Sequence, residues 1–401
     1  MSSISFRRSV MASLVATSVA MAAYGAHVAG ATDPPPNVLK RWAATMGGDQ
    51  SLTLEQALEN ARNFDLIAGH PRAFAPYLER MRAVNPDLKM VFYLNGAYAQ
   101  KNEGTKYPES WYARDRAGNK VRSRGFGNYL MDVANPAWAA DRAAACKAGI
   151  AKAGWNGCYA DMLGVAPLGQ GYGTGLPVNP ATGDVWTPGS YIAATAVIGG
   201  VIKAANSDAI VVGNGLNNGH YYYDADQGTA RNLLATLDGG NAQGWLRGTS
   251  QSVEKFKKEP VWKQNVDMLG DAGARGKSVL AMTKIWHTPA TEAQKAAVHR
   301  YALASFLLGT DGKQYWFWSD RGYEGAAAQD AAYEHVNVGQ PLGSYAAVGT
   351  AYVRHFTNGV AVVNPTTSPV TVDLGGSYRS LDGVAAAAVT LAPNTGDVYS
   401  R

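Results

Sequence analysis

Four short apolar runs in this 401-residue chain each stop at a polar side chain: Trp155–Asp161, Val211–Asn214, Ala281–Lys284 and Trp316–Asp320. A strand that delivers a polar group at its C-terminal end is how a barrel of alternating strands and helices presents its chemistry. Carboxylates so placed can work in pairs across a sugar acetal. One protonates the leaving oxygen and the other serves as nucleophile or as base toward water. Asp161 is the first candidate, the alternative being an Asp that caps a loop. Asp320 has chemistry, substrate contact or pairing with Arg321 open to it, and Trp318 just before it either stacks on a sugar ring or packs in the core. Asp132 precedes Asn135-Pro136, a natural helix start, and either holds a substrate hydroxyl or shapes the turn. His70, Tyr93, Asn95, Asn214 and His287 each follow or end an expected strand, where they contact sugar hydroxyls or cap the strand.

The elements that must position these groups follow from periodicity. Strands are expected near Arg41–Met46, Phe64–Ala68, Lys89–Leu94, Gly157–Asp161, Ile210–Asn214, Thr236–Gly239, Ser278–Lys284 and Gln314–Ser319. Helical patterns fill the gaps at Thr53–Arg62, Pro71–Val84, Pro136–Ala153, Ser190–Ala205, Gly228–Ala235, Ser252–Ala274 and Thr291–Leu308. Eight strands with helical crossovers predict an α/β fold, a closed (β/α)8 TIM barrel over residues 32–340. Long insertions at 95–135 and 162–187 are expected to build a binding surface at its rim. Many of the aromatics fall there, among them Tyr98, Tyr107, Trp111, Tyr112, Tyr129, Tyr172 and Trp186. From 341 to 401 the pattern changes to short alternating strands, which predicts a small all-β, sandwich-like domain.

The N-terminus carries Arg7-Arg8, an apolar stretch and Ala29-Gly30-Ala31, which reads as an export signal over residues 1–31 and predicts a secreted or periplasmic protein. The general secretory route fits the residues after Arg7-Arg8 better than the twin-arginine route. Removing that segment takes away two arginines and no acids, so the formal charge falls from +5 to +3. So weak an excess predicts no nucleic-acid partner, and no later apolar run is long enough to cross a bilayer. The only cysteines, Cys146 and Cys158, form either a disulfide, which an oxidising compartment permits, or two buried thiols. No spacing of His, Cys, Asp and Glu predicts a metal site, and no cofactor motif stands out; Gly169–Gly175 lacks the Lys and flanking elements of a phosphate loop.

The order of segments carries a resemblance. Phe64-Asp65-Leu66-Ile67, the Asp132 segment, Gly157–Asp161, Asn214, Leu237-Asp238-Gly239 and Arg354–Gly359 together resemble the hypothetical glycosyl hydrolase family 15, over nearly all of the chain beyond the leader. The resemblance implies a TIM-barrel glycosidase acting on a polysaccharide or oligosaccharide, with Asp238 beside the site. It also shows two departures. Asn156-Gly157 stands where such families carry Asp-Gly, and Gln243 stands where a glutamate is expected after Asp238-Gly239. An amide is nearly isosteric with a carboxyl but neither releases nor takes up a proton at neutral pH. Position 243 is then a disabled acid/base, a mark of an inactive homologue, or a place whose acid is supplied elsewhere. The competing class is a non-catalytic carbohydrate-binding barrel, with a barrel lyase or isomerase behind it.

Overall fold

The computed structural model describes residues 36–45, 51–320 and 332–401. The expected leader and Arg321, the expected partner of Asp320, lie outside the described residues. Eight parallel strands close a barrel: β1 (Lys40–Thr45), β2 (Leu66–Gly69), β3 (Lys89–Asn95), β4 (Gly157–Asp161), β5 (Ile210–Asn214), β6 (Gly239–Ala242), β7 (Ser278–Lys284) and β8 (Tyr315–Ser319). Each pairs with its neighbours in sequence, and β1 closes on β8. The crossovers carry helices α1 (Leu54–Asn63), α2 (Pro71–Phe74), α3 (Leu78–Val84), α4 (Pro136–Ala153), α5 (Pro188–Ala205), α6 (Gly219–Tyr223), α7 (Glu259–Ala274) and α8 (Glu292–Gly309).

Local chemistry sets these boundaries. Thr53, Thr187 and Thr291 each accept the N–H three residues on, closing capping boxes with Gln56, Ser190 and Gln294. Asn135 caps α4 ahead of Pro136, and Gly154 ends it at φ 68°. The single helix expected over Pro71–Val84 is two helices, because Pro76 has no N–H to continue the ladder. Residues 252–258 stay outside α7, and a 3-10 turn, Ala230–Ala235, replaces the helix expected at 228–235.

Strand six is the main shift. The expected Thr236–Gly239 is displaced to Gly239–Ala242, a segment with no β-branched or aromatic residue. A Cβ on Gly239 would lie 2.7 Å from the Ser278 carbonyl oxygen, so bare backbone lets β6 approach β7. The shift puts Asp238 at the N-terminal end of the barrel. There it is one of three repeats of a single device: a polar residue just before an even-numbered strand accepts the N–H of the strand before it. Asp65 accepts from Arg41 at 2.7 Å, Asn156 from Met90 at 2.8 Å and Asp238 from Val211 at 2.8 Å. Acceptance of an N–H needs an oxygen, not a charge, so Asn156 serves where a family pattern has Asp. Gly157 follows it because a Cβ there would sit 1.8 Å from the Ile210 carbonyl oxygen.

Alternation sorts the faces of the strands. Val279, Ala281, Trp316 and Trp318 pack with helix residues such as Trp262 and Phe306, whereas Leu280, Met282 and Phe317 pack with Trp42, Tyr159 and Val212 inside the barrel. Cys146 on α4 and the outward Cys158 on β4 are joined as a disulfide with Cα atoms 6.0 Å apart, inside the range such bonds need.

The C-terminal strands β9 (Ala346–Val348), β10 (Ala351–Phe356), β11 (Gly359–Asn364), β12 (Val370–Ser380), β13 (Ala385–Leu391) and β14 (Thr395–Ser400) form one antiparallel sheet in the order β9-β10-β11-β14-β12-β13. This corrects the sandwich-like expectation: there is one sheet, and α8 covers one of its faces in place of a second sheet. The buried Arg354 fastens the two by donating to the carbonyl oxygens of Leu307 and Leu308 at the end of α8. No helix among the described residues is long and apolar enough to cross a membrane.

Candidate active site

The C-terminal ends of β3 to β6 bring five of the expected side chains to one cavity. Tyr93 and Asn95 on β3, Asp161 on β4, Asn214 on β5 and Gln243 directly after β6 all face the barrel axis and line one cavity of about 370 Å³. Register sets Asn95 beside Asp161 and Asn214 beside Asn241, with Tyr93 beside Tyr159 one inward position earlier and Gln243 one inward position beyond Asn241. Asn241 donates to the Tyr159 hydroxyl at 2.6 Å below them.

Asp161 is held by three donors. The Tyr93 hydroxyl donates to Oδ2 at 2.9 Å, and Oδ1 accepts from Asn214 Nδ2 at 2.7 Å and from the Met162 N–H at 2.9 Å. Met162 has φ 65°, a left-handed conformation a non-glycine residue rarely adopts, and that turn points its N–H back at the carboxylate. Asn95 sets Tyr93 in turn. Its Oδ1 accepts the N–H of Ala97 and of Tyr98, which fixes the amide so that Nδ2 donates to the Tyr93 hydroxyl at 3.2 Å. Burial pushes the Asp161 carboxyl above its ordinary range, against the pull of Asn214, Tyr93 and the Met162 amide toward the anion.

Asn214 Nδ2 donates a second time, to Gln243 Oε1 at 3.1 Å. One amide nitrogen therefore bridges positions 161 and 243, and their bonded oxygens stand no farther apart than the sum of the 2.7 and 3.1 Å contacts. That limit is below the ~6.5 Å at which carboxyl pairs of inverting glycosidases begin.

The two insertions wall this cavity. Ser123, Phe126 and Asn128 come from the first, and Met162, Ala166 and Gln170 from the second. They are tied to each other by a bridge between Ser123 and Tyr172, by Arg124 N–H donating to the Gly171 carbonyl at 2.7 Å and by a Tyr98–Tyr172 hydroxyl contact at 2.8 Å. Of the aromatics on these insertions, Tyr112, Tyr172 and Trp186 are buried in packing, whereas Tyr98, also buried, lines the cavity. The exposed ring at the cavity is Phe126, 71% exposed, which sequence reasoning passed over because an isolated Phe in a glycine-rich loop carries no pattern.

Other expected residues fall elsewhere. Asp238 is corrected to the opposite end of the barrel, where its carboxylate also pairs with Lys203 at 2.8 Å. Trp318 is corrected to the helix layer: its outward ring is buried and stacks on His299 of α8 at 4.4 Å. His287 lies in an exposed turn beyond β7 and lines neither cavity described here. Asp132 caps the turn into α4, accepting the Ala134 N–H at 3.0 Å, and burial raises its pKa. Asp320 follows β8, half-buried, and does not line the cavity of Asp161. His70 caps α2 by accepting the Arg72 N–H and lines an adjoining cavity of about 250 Å³ that shares Tyr93, Asn95 and Tyr98 with the first. Among the described residues no group of three or more His, Cys, Asp or Glu converges as metal ligands do.

A family model described as hypothetical glycosyl hydrolase family 15 matches residues 82–360. Among solved structures, Amy13B of Eubacterium rectale is similar at 9% identity and TM-score 0.52, over 92% of this chain and 97% of that one. The noncanonic maltogenic alpha-amylase AmyB from Thermotoga neapolitana is similar at 12% identity and TM-score 0.52, over 91% and 99%. The glycoside hydrolase domain of PelA from Pseudomonas aeruginosa is similar at 13% identity and TM-score 0.45, over 71% and 96%. At such identities the likeness is one of fold. No curated protein matches the chain.

Proposed function

This chain belongs to the hypothetical glycosyl hydrolase family 15, and from that premise and the geometry of the barrel mouth we propose that it acts on a glycosidic bond of a polysaccharide or oligosaccharide held between Asp161 and position 243. The observation that carries the reading is the Asn214 amide bridging Asp161 Oδ1 and Gln243 Oε1 inside one cavity. In this reading Asp161 is the nucleophile. Its three donors orient it and share the negative charge, and a bridge shorter than the ~6.5 Å at which inverting pairs begin supports a retaining, two-step displacement. Tyr93 and Asn95 are positioning residues that act through Asp161, and Phe126 supplies an apolar face to a sugar ring. Residues 1–31 direct the chain out of the cytoplasm, a step that N-terminal sequencing of the exported protein checks.

Position 243 is the acid/base place, and its amide has no proton to give to a leaving oxygen. The natural chain is therefore a slow hydrolase. Restoring the carboxyl with Gln243→Glu raises turnover on a polysaccharide panel by ~10²-fold or more. Equal rates in the two forms remove position 243 from the mechanism. The amide also favours one second reading, a barrel that binds sugar without cleaving it. Tight binding with no hydrolysis in Gln243→Glu selects that reading.

A further inference from the structure

The other half of the barrel mouth holds a charge that the site above does not use. Lys284 ends β7 on the inward face, continuing the alternation of Leu280 and Met282, and is only 8% exposed. Among the described residues no carboxylate pairs with it. Its named neighbour is the ring of Trp286, with Nζ 4.8 Å from the centroid. That ring packs against the barrel-interior cluster and is pinned by its Nε1 donating to Ser319 Oγ at 2.7 Å, on the strand next to Lys284. Burial lowers the pKa of the ammonium to about 8. A cation taken out of water without a counter-ion costs stability, and a protein of no further purpose has an apolar residue to hand for this position.

We propose that Lys284 is an anion-recognition residue that selects substrates carrying a carboxylate on the sugar ring next to the cleaved bond, that is, uronic-acid oligosaccharides, with Trp286 as the platform beside it. The inference rests on the sugar-cleaving reading above and names its substrate class. One ammonium matches one singly charged carboxylate and meets it with a charge-assisted hydrogen bond. Asp161 ends β4 and Lys284 ends β7, three strands apart around the barrel. The acid group therefore sits on a ring neighbouring the one attacked, away from the like charge of Asp161.

The test uses the natural chain, whose Gln243 permits binding to be measured with slow turnover. Oligomers of galacturonate, glucuronate and mannuronate, each as free acid and as methyl ester, are titrated calorimetrically against the natural protein, Lys284→Met and Lys284→Arg. The free acid of one series is expected to bind ~tenfold or more tightly than its ester. Lys284→Met brings that ratio to within about twofold while Lys284→Arg keeps most of it. The thermal midpoint of Lys284→Met is expected at or above that of the natural protein, since a buried charge with no carboxylate partner among the described residues is gone. A fall of more than about 5 °C makes the lysine a structural residue and overturns the inference. So does an ester bound as well as its acid in every series, a preference that survives Lys284→Met, or a preference for sulfated over carboxylated oligomers. Binding of neutral oligosaccharides without any acid preference overturns it too, and leaves the glycosidase reading standing. Failure to bind any carbohydrate removes both.

Discussion

Asn214→Leu is the substitution that reaches furthest into the site, because one nitrogen serves both sides of the proposed bond cleavage. Leucine matches the shape of asparagine, keeps water from replacing the amide and supplies no donor. Asp161 Oδ1 then keeps the Met162 N–H but loses its 2.7 Å contact. A hydrogen bond to a charged group contributes about 1.5–3 kcal/mol, and at 1.36 kcal/mol per pKa unit its loss raises the Asp161 pKa by roughly one to two units. The sign follows from the side of the equilibrium that is served: Asn214 donates to the anion, burial already holds the pKa above the ordinary 3.8, and removing the donor drives it higher. A nucleophile works only as the anion, so the acidic limb of the kcat/KM profile moves up by the same one to two units. Measured in the Gln243→Glu background, the alkaline limb moves up as well, since a carboxyl at 243 loses its own contact with Asn214. The pair titrates as a unit, and both limbs are read from that one profile. An acidic limb that stays in place, or moves down, refutes the assignment of Asp161 as a nucleophile supported by Asn214.

Two further substitutions separate framework from site. Asp238→Ala deletes the acceptor for the Val211 N–H and is expected to cost about 1 kcal/mol in denaturant titration. The kcat of the Gln243→Glu form should be unchanged by it, because about 13 Å of strand separates Asp238 from the mouth. A rate loss of tenfold returns Asp238 to the mechanism. Glu334→Gln removes the buried negative charge and leaves one acceptor oxygen where two serve Arg41 (2.9 Å) on one side and His299 and Trp316 on the other, at about 3 kcal/mol. Burial pushes Glu334 up, but His299, Arg41 and Trp316 outweigh it and hold the pKa below its ordinary 4.5. That stabilisation is present above 4.5 and is lost as pH falls through the lowered value, so melting curves of the two forms should converge in acid. A gap that persists there contradicts the ionic origin.

The chain makes the barrel legible because its strands end on polar groups and its helices open on Thr53, Asn135, Thr187 and Thr291. Asp161, Asn214, Tyr93 and Asn95 were visible for the same reason: a strand end carries its position in its own alternation. β6 was misplaced because Gly239-Gly240-Asn241-Ala242 forms a strand through close backbone approach rather than β propensity, and the three-residue slip took Asp238 with it. Trp318 shows the limit of reading a residue by its type, since the alternation that turns Phe317 inward turns Trp318 outward onto His299 of α8. The N–H of Met162 and the exposure of Phe126 depend on backbone turns that no residue type announces. Lys284 was visible as the end of an apolar run, but its lack of a carboxylate partner among the described residues exists only once the barrel is closed.

A crystal structure of the natural Gln243 chain with an uncleaved oligosaccharide is the most direct measurement of whether one bond lies between positions 161 and 243. The account predicts an anomeric carbon about 3–3.5 Å from an Asp161 carboxylate oxygen, with the Gln243 amide about 2.7–3.2 Å from the glycosidic oxygen. A sugar seated elsewhere in the mouth, or one whose glycosidic oxygen faces away from Gln243, contradicts it.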